Sequence, residues 1–479
     1  MKLSALLKRT DVKNEYTDVE ISYITDDSRK CTPGCAFVCI EGKNFDGHSL
    51  ASAAQEKGAI AIICSKPVEA ENYVIVENTR EVYALMCCEF FGNPSDEMTL
   101  VGLTGTNGKT TTSTLIYQVL TGMGKKAGLI GTVSNIIDGV KRESVLTTPD
   151  TFDLNRMFRE MVDCGTEYCI MEVSSQALDQ SRVAGCHFDV AVFTNLTQDH
   201  LDYHGSIDNY IEAKKILFRN CDKAVANLDD ASYEKMFGDV QCPVITYSAK
   251  NDNADLTAKT IKLGPGSVDY AIVGISMIGR VHYNTPGMFS VYNSMAVIGC
   301  CLQLGLDFDE TVNSLAEVSS VPGRFEVLDT DTDYKVIIDY AHTPDGLINV
   351  IETLNEIKGE GRVITVFGCG GDRDAAKRPI MGKVVSELSD IAVVTTDNPR
   401  TEDPEAIIAD ILAGMKESTN ETHVKVDRTE AIEFALSIAK ENDLVLLAGK
   451  GHETYQIIGK VKYHYDEREK VREYFEKLG

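Results

Sequence analysis

One seven-residue stretch restricts the fold of this chain more than any other: Gly105-Thr-Asn-Gly-Lys-Thr-Thr111. It follows the apolar run Leu100-Val-Gly-Leu-Thr104 and precedes a helical pattern over residues 111–123. A strand that turns through glycines straight into a helix aims backbone N–H groups and a helix N-terminus at one point, which makes a cradle for phosphate. Lys109 adds a full charge for the β- and γ-phosphates, and the Thr110 hydroxyl is suited to ligate Mg²⁺. The loop therefore predicts nucleoside-triphosphate binding at the carboxyl end of a strand in an α/β sheet. It is a shortened form, because Leu103 stands where the longer phosphate-loop pattern has glycine.

Around this loop the sequence divides into three blocks, as expected for 479 residues at about 100–200 residues per domain. Residues 1–97 hold short mixed elements, among them the alternating Val19-Glu-Ile-Ser-Tyr-Ile24, and end at Asn93-Pro94-Ser95. Residues 98–323 alternate strand and helix signals, the signature of a parallel sheet, with a β-rich antiparallel addition expected over 243–285. Val321-Pro-Gly-Arg324 punctuates the chain again, and residues 324–479 repeat the alternation in a Rossmann-like pattern. There, four strands each run into a polar cluster: Asp339-Tyr-Ala-His342, Gly368-Cys-Gly-Gly-Asp-Arg373, Asp397-Asn-Pro-Arg400 and Gly449-Lys-Gly-His-Glu453. In open α/β sheets ligands bind at those ends, so the four clusters mark a site. The expected fold class is α/β with three domains, the central one a phosphate-loop ATPase.

Charge excludes several partners. The net charge of −26, from 47 basic and 73 acidic residues, repels nucleic acid, and no block of Lys and Arg offsets it. An anionic substrate must then be met by helix N-termini, metal ions and single cations. The N-terminal apolar run is too short for a signal peptide, and no stretch is long and apolar enough to span a membrane. The 14 cysteines are scattered, with no Cys-x-x-Cys pair, and read as small core residues in a reducing cytosol.

Two strand ends in the central block carry metal-ligand candidates. Glu172 follows Ile170-Met171, and His200 sits in Thr194-Asn-Leu-Thr-Gln-Asp-His-Leu-Asp202. A carboxylate suits Mg²⁺, whereas a histidine suits it less. Zn²⁺ is disfavoured, because no second histidine or cysteine has ligand spacing. A nicotinamide reading of Phe367-Gly-Cys-Gly-Gly-Asp is weak without the final glycine of that fingerprint.

The phosphate loop, Glu172-Val-Ser-Ser175, Thr194–Asp202 and Asp339-Tyr-Ala-His-Thr-Pro344 together resemble the Mur ligase family, cytoplasmic enzymes that build the peptidoglycan stem peptide. The resemblance runs from Asp27-Ser-Arg29 to Gly449-Lys-Gly-His-Glu453, and within the family it points to the members that add the third residue. It implies ATP, Mg²⁺, UDP-MurNAc-L-Ala-D-Glu and an amino acid as ligands, and a monomer as the working form. Gly105, Thr106, Asn107, Gly108, Lys109, Thr110, Thr111, Asn293, Arg324 and Asp339 then match the ATP side, with Asp339 toward the ribose. Ser28 and Arg29 match positions near the uridine nucleotide. Thr147, Thr148, Ser174, Gln180 and Arg182 match the UDP-muramoyl part. Thr110, Glu172 and His200 match metal positions, and Lys214 matches a lysine carbamylated in the family, where CO₂ turns an ammonium into a carboxylate able to hold a second Mg²⁺. Lys109, Lys214, His200 and Glu172 form the implied catalytic set. Ser290 departs from the family's asparagine, which puts a nucleotide contact there in doubt.

Asp397-Asn-Pro-Arg400 resembles the signature of members that add meso-diaminopimelate. The physics agrees. Diaminopimelate has a far carboxylate that a guanidinium grips bidentately, whereas lysine would leave Arg400 facing an ammonium. Arg373, Asp397, Asn398, Pro399, Gly449 and Glu453 match the rest of that pocket. The implied chemistry phosphorylates the D-glutamate γ-carboxylate and lets the amine displace phosphate, with His342 and Glu453 as candidate bases. Folylpolyglutamate synthase shares the central chemistry but lacks the N-terminal block; a Mur-like scaffold without turnover is opposed by the intact catalytic set.

Overall fold

The strand Thr99–Thr104 lies inside an eleven-stranded sheet, between Phe188–Phe193 on one side and Tyr168–Glu172 on the other, all parallel. The chain leaves this strand toward Ala127–Ile130 on one side, whereas Tyr168–Glu172 and Phe188–Phe193 pass it on toward the other, so a crevice opens at the carboxyl ends, where the phosphate loop sits. The computed structural model describes residues 1–42, 45–274 and 277–478, the side chains of 202 and 478 excepted. Near-continuous burial of Leu100, Val101, Leu103 and Ile170 explains why these strands read as unbroken apolar runs. The helices Lys109–Gly122 and Met288–Gln303 cover one face, and Thr151–Asp163 and Ile207–Arg219 carry buried faces of their own.

The expected antiparallel addition over 243–285 forms the strands Leu256–Leu263, Val268–Gly274 and Met277–Tyr283. It is continuous with the large sheet, because Val244–Ser248 pairs in parallel with both Cys221–Asn227 and Leu256–Leu263. Residues 275–276 lie outside the described set. At the opposite edge Ser134–Ile137 and Val140–Glu143 form a hairpin that the sequence pattern did not announce.

Toward the N-terminus, a four-stranded parallel sheet runs Tyr23–Thr25, Cys35–Val38, Ala59–Cys64, Tyr73–Ile75. The alternation read over residues 19–24 therefore shifts: the strand is Tyr23–Thr25, and Glu20 instead bridges to Lys2. Toward the C-terminus, a six-stranded sheet is ordered Glu326–Leu328, Lys335–Asp339, Leu444–Ala448, Val363–Phe367, Ile391–Val394, Glu421–Val424, parallel except for its first member. A separate hairpin, Tyr455–Ile458 with Val461–His464, follows it. The architecture is α/β with three domains. Most cysteines are buried among apolar side chains. Among the described residues no helix is long and apolar enough to cross a membrane.

Gly323 fixes how the central and C-terminal parts meet. Its φ is +69°, and a Cβ there would stand 2.2 Å from the His452 backbone nitrogen. Only glycine lets the connecting segment lie against the Gly451–His452 turn.

Candidate active site

A cleft of about 880 Å³ runs between the central and C-terminal sheets, lined by the phosphate loop on one wall and by Arg373, Asp397, Asn398, Arg400, Gly449 and Glu453 on the other. Despite the acidic chain, Lys109, Arg182, Lys214, Arg324, Arg373, Lys377 and Arg400 all line it. They stand among the carboxylates Glu143, Glu172, Asp199, Asp374, Asp397 and Glu453, so the cleft lacks the strong negative excess of the whole chain and can admit an anionic, phosphate-bearing substrate.

The phosphate loop is shaped by close packing. At Gly105, φ is +154° and an added Cβ would meet Thr194 Oγ1 at 2.0 Å. Gly108 takes the left-handed conformation at the start of the helix Lys109–Gly122, and no side chain caps it. The first-turn N–H groups therefore have no side-chain acceptor and are available to an anion. Asn107 N donates to Asn195 Oδ1 at 2.9 Å, and Thr194 Oγ1 donates to Asn107 O at 2.6 Å, so a neighbouring strand end holds the loop in shape.

Two lysines converge on one carbonyl. Lys109 Nζ donates to Gly105 O at 2.9 Å and to Thr106 O at 2.9 Å, and Lys214 Nζ donates to the same Gly105 O at 2.9 Å. Burial pushes both ammonium groups down, Lys214 well below the usual lysine range with Lys109 adding to the effect. Lys214 is 1% exposed, with its Nζ 4.5 Å from the centre of the Tyr210 ring. The neutral amine is the form that adds CO₂, and burial favours that form of Lys214, so the site fits the carbamylation implied for it.

Glu172, 1% exposed, accepts from Thr110 Oγ1 at 2.9 Å, from Thr132 Oγ1 at 2.9 Å and from Thr132 N at 2.8 Å. Thr110 Oγ1 also accepts from Arg324 Nη2 at 3.1 Å. The hydroxyl and carboxylate oxygens are hard donors side by side, the kind Mg²⁺ takes while keeping waters. His200 lies in the left-handed conformation with its Nε2 3.4 Å from Asp199. Among the described residues no three His, Cys, Asp or Glu side chains form a metal-holding group.

The wall expected for the UDP-muramoyl part is a connected polar chain. Thr147 Oγ1 meets Thr132 Oγ1 at 3.0 Å, and Thr148 Oγ1 donates to Glu172 O at 2.9 Å and accepts from Ser174 N at 3.0 Å. Arg182 Nη1 donates to Thr148 O at 3.0 Å and its Nη2 to Gln180 Oε1 at 2.8 Å. Ser28 lies away from the cleft, in the N-terminal sheet's loops, beside an Arg29 that pairs with Asp27.

The opposite wall is built from side chains. Asn398 Oδ1 accepts from Lys450 Nζ at 3.1 Å and from Ile457 N at 2.9 Å, which turns its amide so that Nδ2 donates to Glu453 Oε2 at 2.9 Å. Lys450 Nζ also donates to Tyr455 O at 2.8 Å and stands 3.5 Å from Glu453. Lys450 is 0% exposed, and a buried ammonium is tolerated only with such partners. Burial and Asp397 push Glu453 upward, while Lys450 and Asn398 oppose that. Burial also works against the Asp397 carboxylate, but Lys450 and Arg428 more than compensate and hold it below the usual range. Arg428 pairs with Glu467 in the core and donates to Ala448 O at 2.8 Å, so it anchors the strand end that carries Gly449. Arg400 adopts φ +52° and donates from Nη1 to Gly371 O at 2.8 Å.

His342 and Glu453 both line the cleft. His342 Nδ1 donates to Tyr340 O at 2.8 Å, which leaves Nε2 as the lone-pair nitrogen. His342 is open to the cleft, where desolvation by the surrounding walls and the nearby Lys377 push its imidazole below the usual histidine range, so it is neutral near pH 7. Three expected residues make or shape local structure. Both Asp339 oxygens accept backbone N–H groups, from Phe325 at 2.7 Å and from Ala341 at 2.7 Å, bracing the interdomain connection. Asn293 lies behind the loop against Gly108 and Thr112. Pro399 is absent from the lining and shapes the turn. Ser290 Oγ donates to Pro286 O at 2.8 Å and is fully buried, a local bond within its helix start.

The sequence reading passed over Thr132, Asp345, Lys450 and the hairpin after Thr454. Asp345 accepts from Asn107 Nδ2 at 2.8 Å and so ties the C-terminal domain to the phosphate loop. Lys450 lies between two glycines in Gly449-Lys-Gly-His-Glu453, its one local signal. Thr132 had no local signal.

With this geometry in hand, family models match three stretches: the Mur ligase middle domain over residues 103–301, the Mur ligase glutamate ligase domain over 323–451, and the Mur ligase family catalytic domain over 20–86. The chain belongs to the Mur ligase family. A protein of Clostridium acetobutylicum named UDP-N-acetylmuramoyl-L-alanyl-D-glutamate--2,6-diaminopimelate ligase 1 is 44% identical, covering 100% of both chains. A solved structure titled as a UDP-N-acetylmuramoyl-L-alanyl-D-glutamate--2,6-diaminopimelate ligase aligns with TM-score 0.71 and 31% identity over 100% of this chain and 99% of its own. A Thermotoga maritima MurF ligase solved in complex with ADP shares the Mur ligase fold at TM-score 0.63 and 21% identity, over 95% of this chain and 97% of its own.

Proposed function

We propose that this Mur ligase is an ATP-dependent ligase that joins meso-2,6-diaminopimelate to the D-glutamate γ-carboxylate of UDP-MurNAc-L-Ala-D-Glu, in peptidoglycan precursor synthesis. The observation that carries the reading is the pairing of two walls across one cleft: a phosphate loop faces the Asp397-Asn-Pro-Arg400 turn, whose guanidinium answers a far carboxylate. Full-length relatives at 44% identity named for the same reaction support it.

A carboxylate does not acylate an amine unaided. In the proposed course a γ-carboxylate oxygen attacks the γ-phosphorus of ATP and ADP leaves, giving an acyl phosphate. Lys109, Arg324 and the uncapped N-terminus of the helix Lys109–Gly122 hold and neutralise the phosphates. Thr110 and Glu172 would hold one Mg²⁺, and His200 with carbamylated Lys214 a second; bound there, Mg²⁺ supplies charge neutralisation for phosphoryl transfer. Thr147, Thr148, Ser174, Gln180 and Arg182 orient the UDP-muramoyl peptide. On the other wall Arg400 and Arg373 take the far carboxylate, and Glu453, held by Asn398, takes the far ammonium. The near amine attacks the acyl carbon, phosphate leaves, and the amine proton passes toward His342 Nε2 or Glu453.

We assign residues 1–97 to UDP-substrate binding, 98–323 to ATP and ligation, and 324–479 to the amino acid, in a cytoplasmic monomer. The decisive assay supplies ATP, Mg²⁺ and UDP-MurNAc-L-Ala-D-Glu, then diaminopimelate or lysine, and follows phosphate release. Release should require the amino acid and favour diaminopimelate. Release without either, or equal use of lysine, would sink the assignment.

A further inference from the structure

The hairpin Tyr455–Ile458 with Val461–His464 belongs to none of the roles above, yet it is stitched to the turn that reads the amino acid. Arg400 N donates to Ile457 O at 3.1 Å, and Gly459 N donates to Arg400 O at 2.6 Å, so both backbone groups of Arg400 are spent on the hairpin. Gln456 Nε2 donates to Asp397 O at 2.8 Å, and Ile457 N donates to Asn398 Oδ1 at 2.9 Å. Lys450 pins the base of the hairpin through Tyr455 O. Its far strand then reaches across the cleft. Lys462 Nζ lies 3.2 Å from Glu143 Oε1 and 3.8 Å from the centre of the Tyr455 ring. Glu143 ends the strand Val140–Glu143, and the residues that follow it, Ser144 to Thr148, line the UDP-substrate side of the cleft together with Tyr455 on the facing side.

We propose that this hairpin couples the amino acid's identity to cleft closure, with Lys462 and Glu143 as positioning residues that carry a well-seated Arg400 turn to the opposite wall. Arg400 holds a left-handed backbone, φ +52°, that a non-glycine residue keeps only under surrounding restraint, and the hairpin supplies that restraint. A far carboxylate drawn to the guanidinium therefore loads the same segment that holds Lys462 against Glu143. Selectivity is then read twice, in binding at Arg400 and in closing at the ion pair. The inference rests on the assignment of the amino acid to this wall.

The test is a charge swap at two side chains 50% and 79% exposed, where substitution leaves the core untouched. Wild type, Lys462→Glu, Glu143→Lys and the double swap are assayed with UDP-MurNAc-L-Ala-D-Glu, ATP and either diaminopimelate or lysine. Each single variant should lose about two- to fivefold in kcat/KM for the preferred amino acid, the range of one exposed ion pair. Its KM for ATP should stay unchanged, and its preference between the two amino acids should narrow. The double swap should recover to within about twofold, and high salt should erase the differences. Single variants that match wild type, a swap no better than the singles, or equal losses on both amino acids would overturn the proposal. Should wild type prefer lysine, the Arg400 assignment falls, while the swap measured on lysine still decides the hairpin.

Discussion

The two walls of the cleft reach precision by different means. The nucleotide end of the central wall is mostly backbone: a seven-residue loop, a helix start with no cap, and glycines forced by contacts as close as 2.0 Å. Its shape is set by covalent geometry and by one neighbouring strand end. The C-terminal wall is mostly side chain. Its charges come from loops spread between Tyr340 and Glu453 and are aligned by buried ions, Lys450 and the Arg428–Glu467 pair. Backbone cradles recognise what all nucleotides share, whereas an assembly of side chains can be retuned to one amino acid among many.

If that contrast is right, breaking the central wall should abolish chemistry with any amino acid, and breaking the C-terminal wall should spoil choice and affinity first. The largest effect is expected at Lys109. Lys109→Ala should lower kcat about 10³-fold, with diaminopimelate and lysine affected alike, measured as ADP formation. A loss that differs between the two amino acids would show that the walls are not separate. Arg400→Ala should lower kcat/KM for diaminopimelate about 10²-fold while changing lysine far less, so the ratio of the two collapses. Next comes Lys450→Met, which removes the pin beneath Asn398 and Glu453 without touching the nucleotide wall. The KM for the amino acid should rise about 10- to 100-fold with the KM for ATP unchanged. Parallel changes in both constants would mean that Lys450 serves overall stability instead.

The same contrast explains what the sequence disclosed. The phosphate loop was legible because its function is local: strand, glycines, lysine and helix follow one another within a dozen residues. Glu172 and the four C-terminal clusters were legible because strand ends can be located from apolar runs. Arg400 gained meaning from the resemblance to the diaminopimelate-adding members, with which the chemistry of a far carboxylate agrees. The roles of Asp339 and Lys450 could not be read that way, since both depend on which backbone amides or carbonyls arrive from elsewhere. Asp339 spends its oxygens on Phe325 and Ala341, and Lys450 reaches Asn398, 52 residues away in sequence. The hairpin of Ser134–Ile137 with Val140–Glu143 is not legible because its second strand is mostly exposed and has little apolar alternation to display.

The smallest effect tests the seam between the walls. His452 packs against Gly323 in the connecting segment and against the Tyr340 ring at 4.9 Å. Burial, with Arg324 and Arg468 close by, pushes its imidazole down to about 3 from 6.5. Between those values the unfolded chain binds a proton that the folded chain refuses, so the unfolded state holds more protons and stability rises with pH. The contribution is present above pH 6.5 and is lost as pH falls toward 3. His452→Gln removes this term, so its Tm should decline less steeply than wild type between pH 7 and pH 4, by about 2–4 °C over the interval. Superimposable declines would mean that His452 is solvated at the seam, and that the two walls meet there more loosely than the Gly323 contact implies.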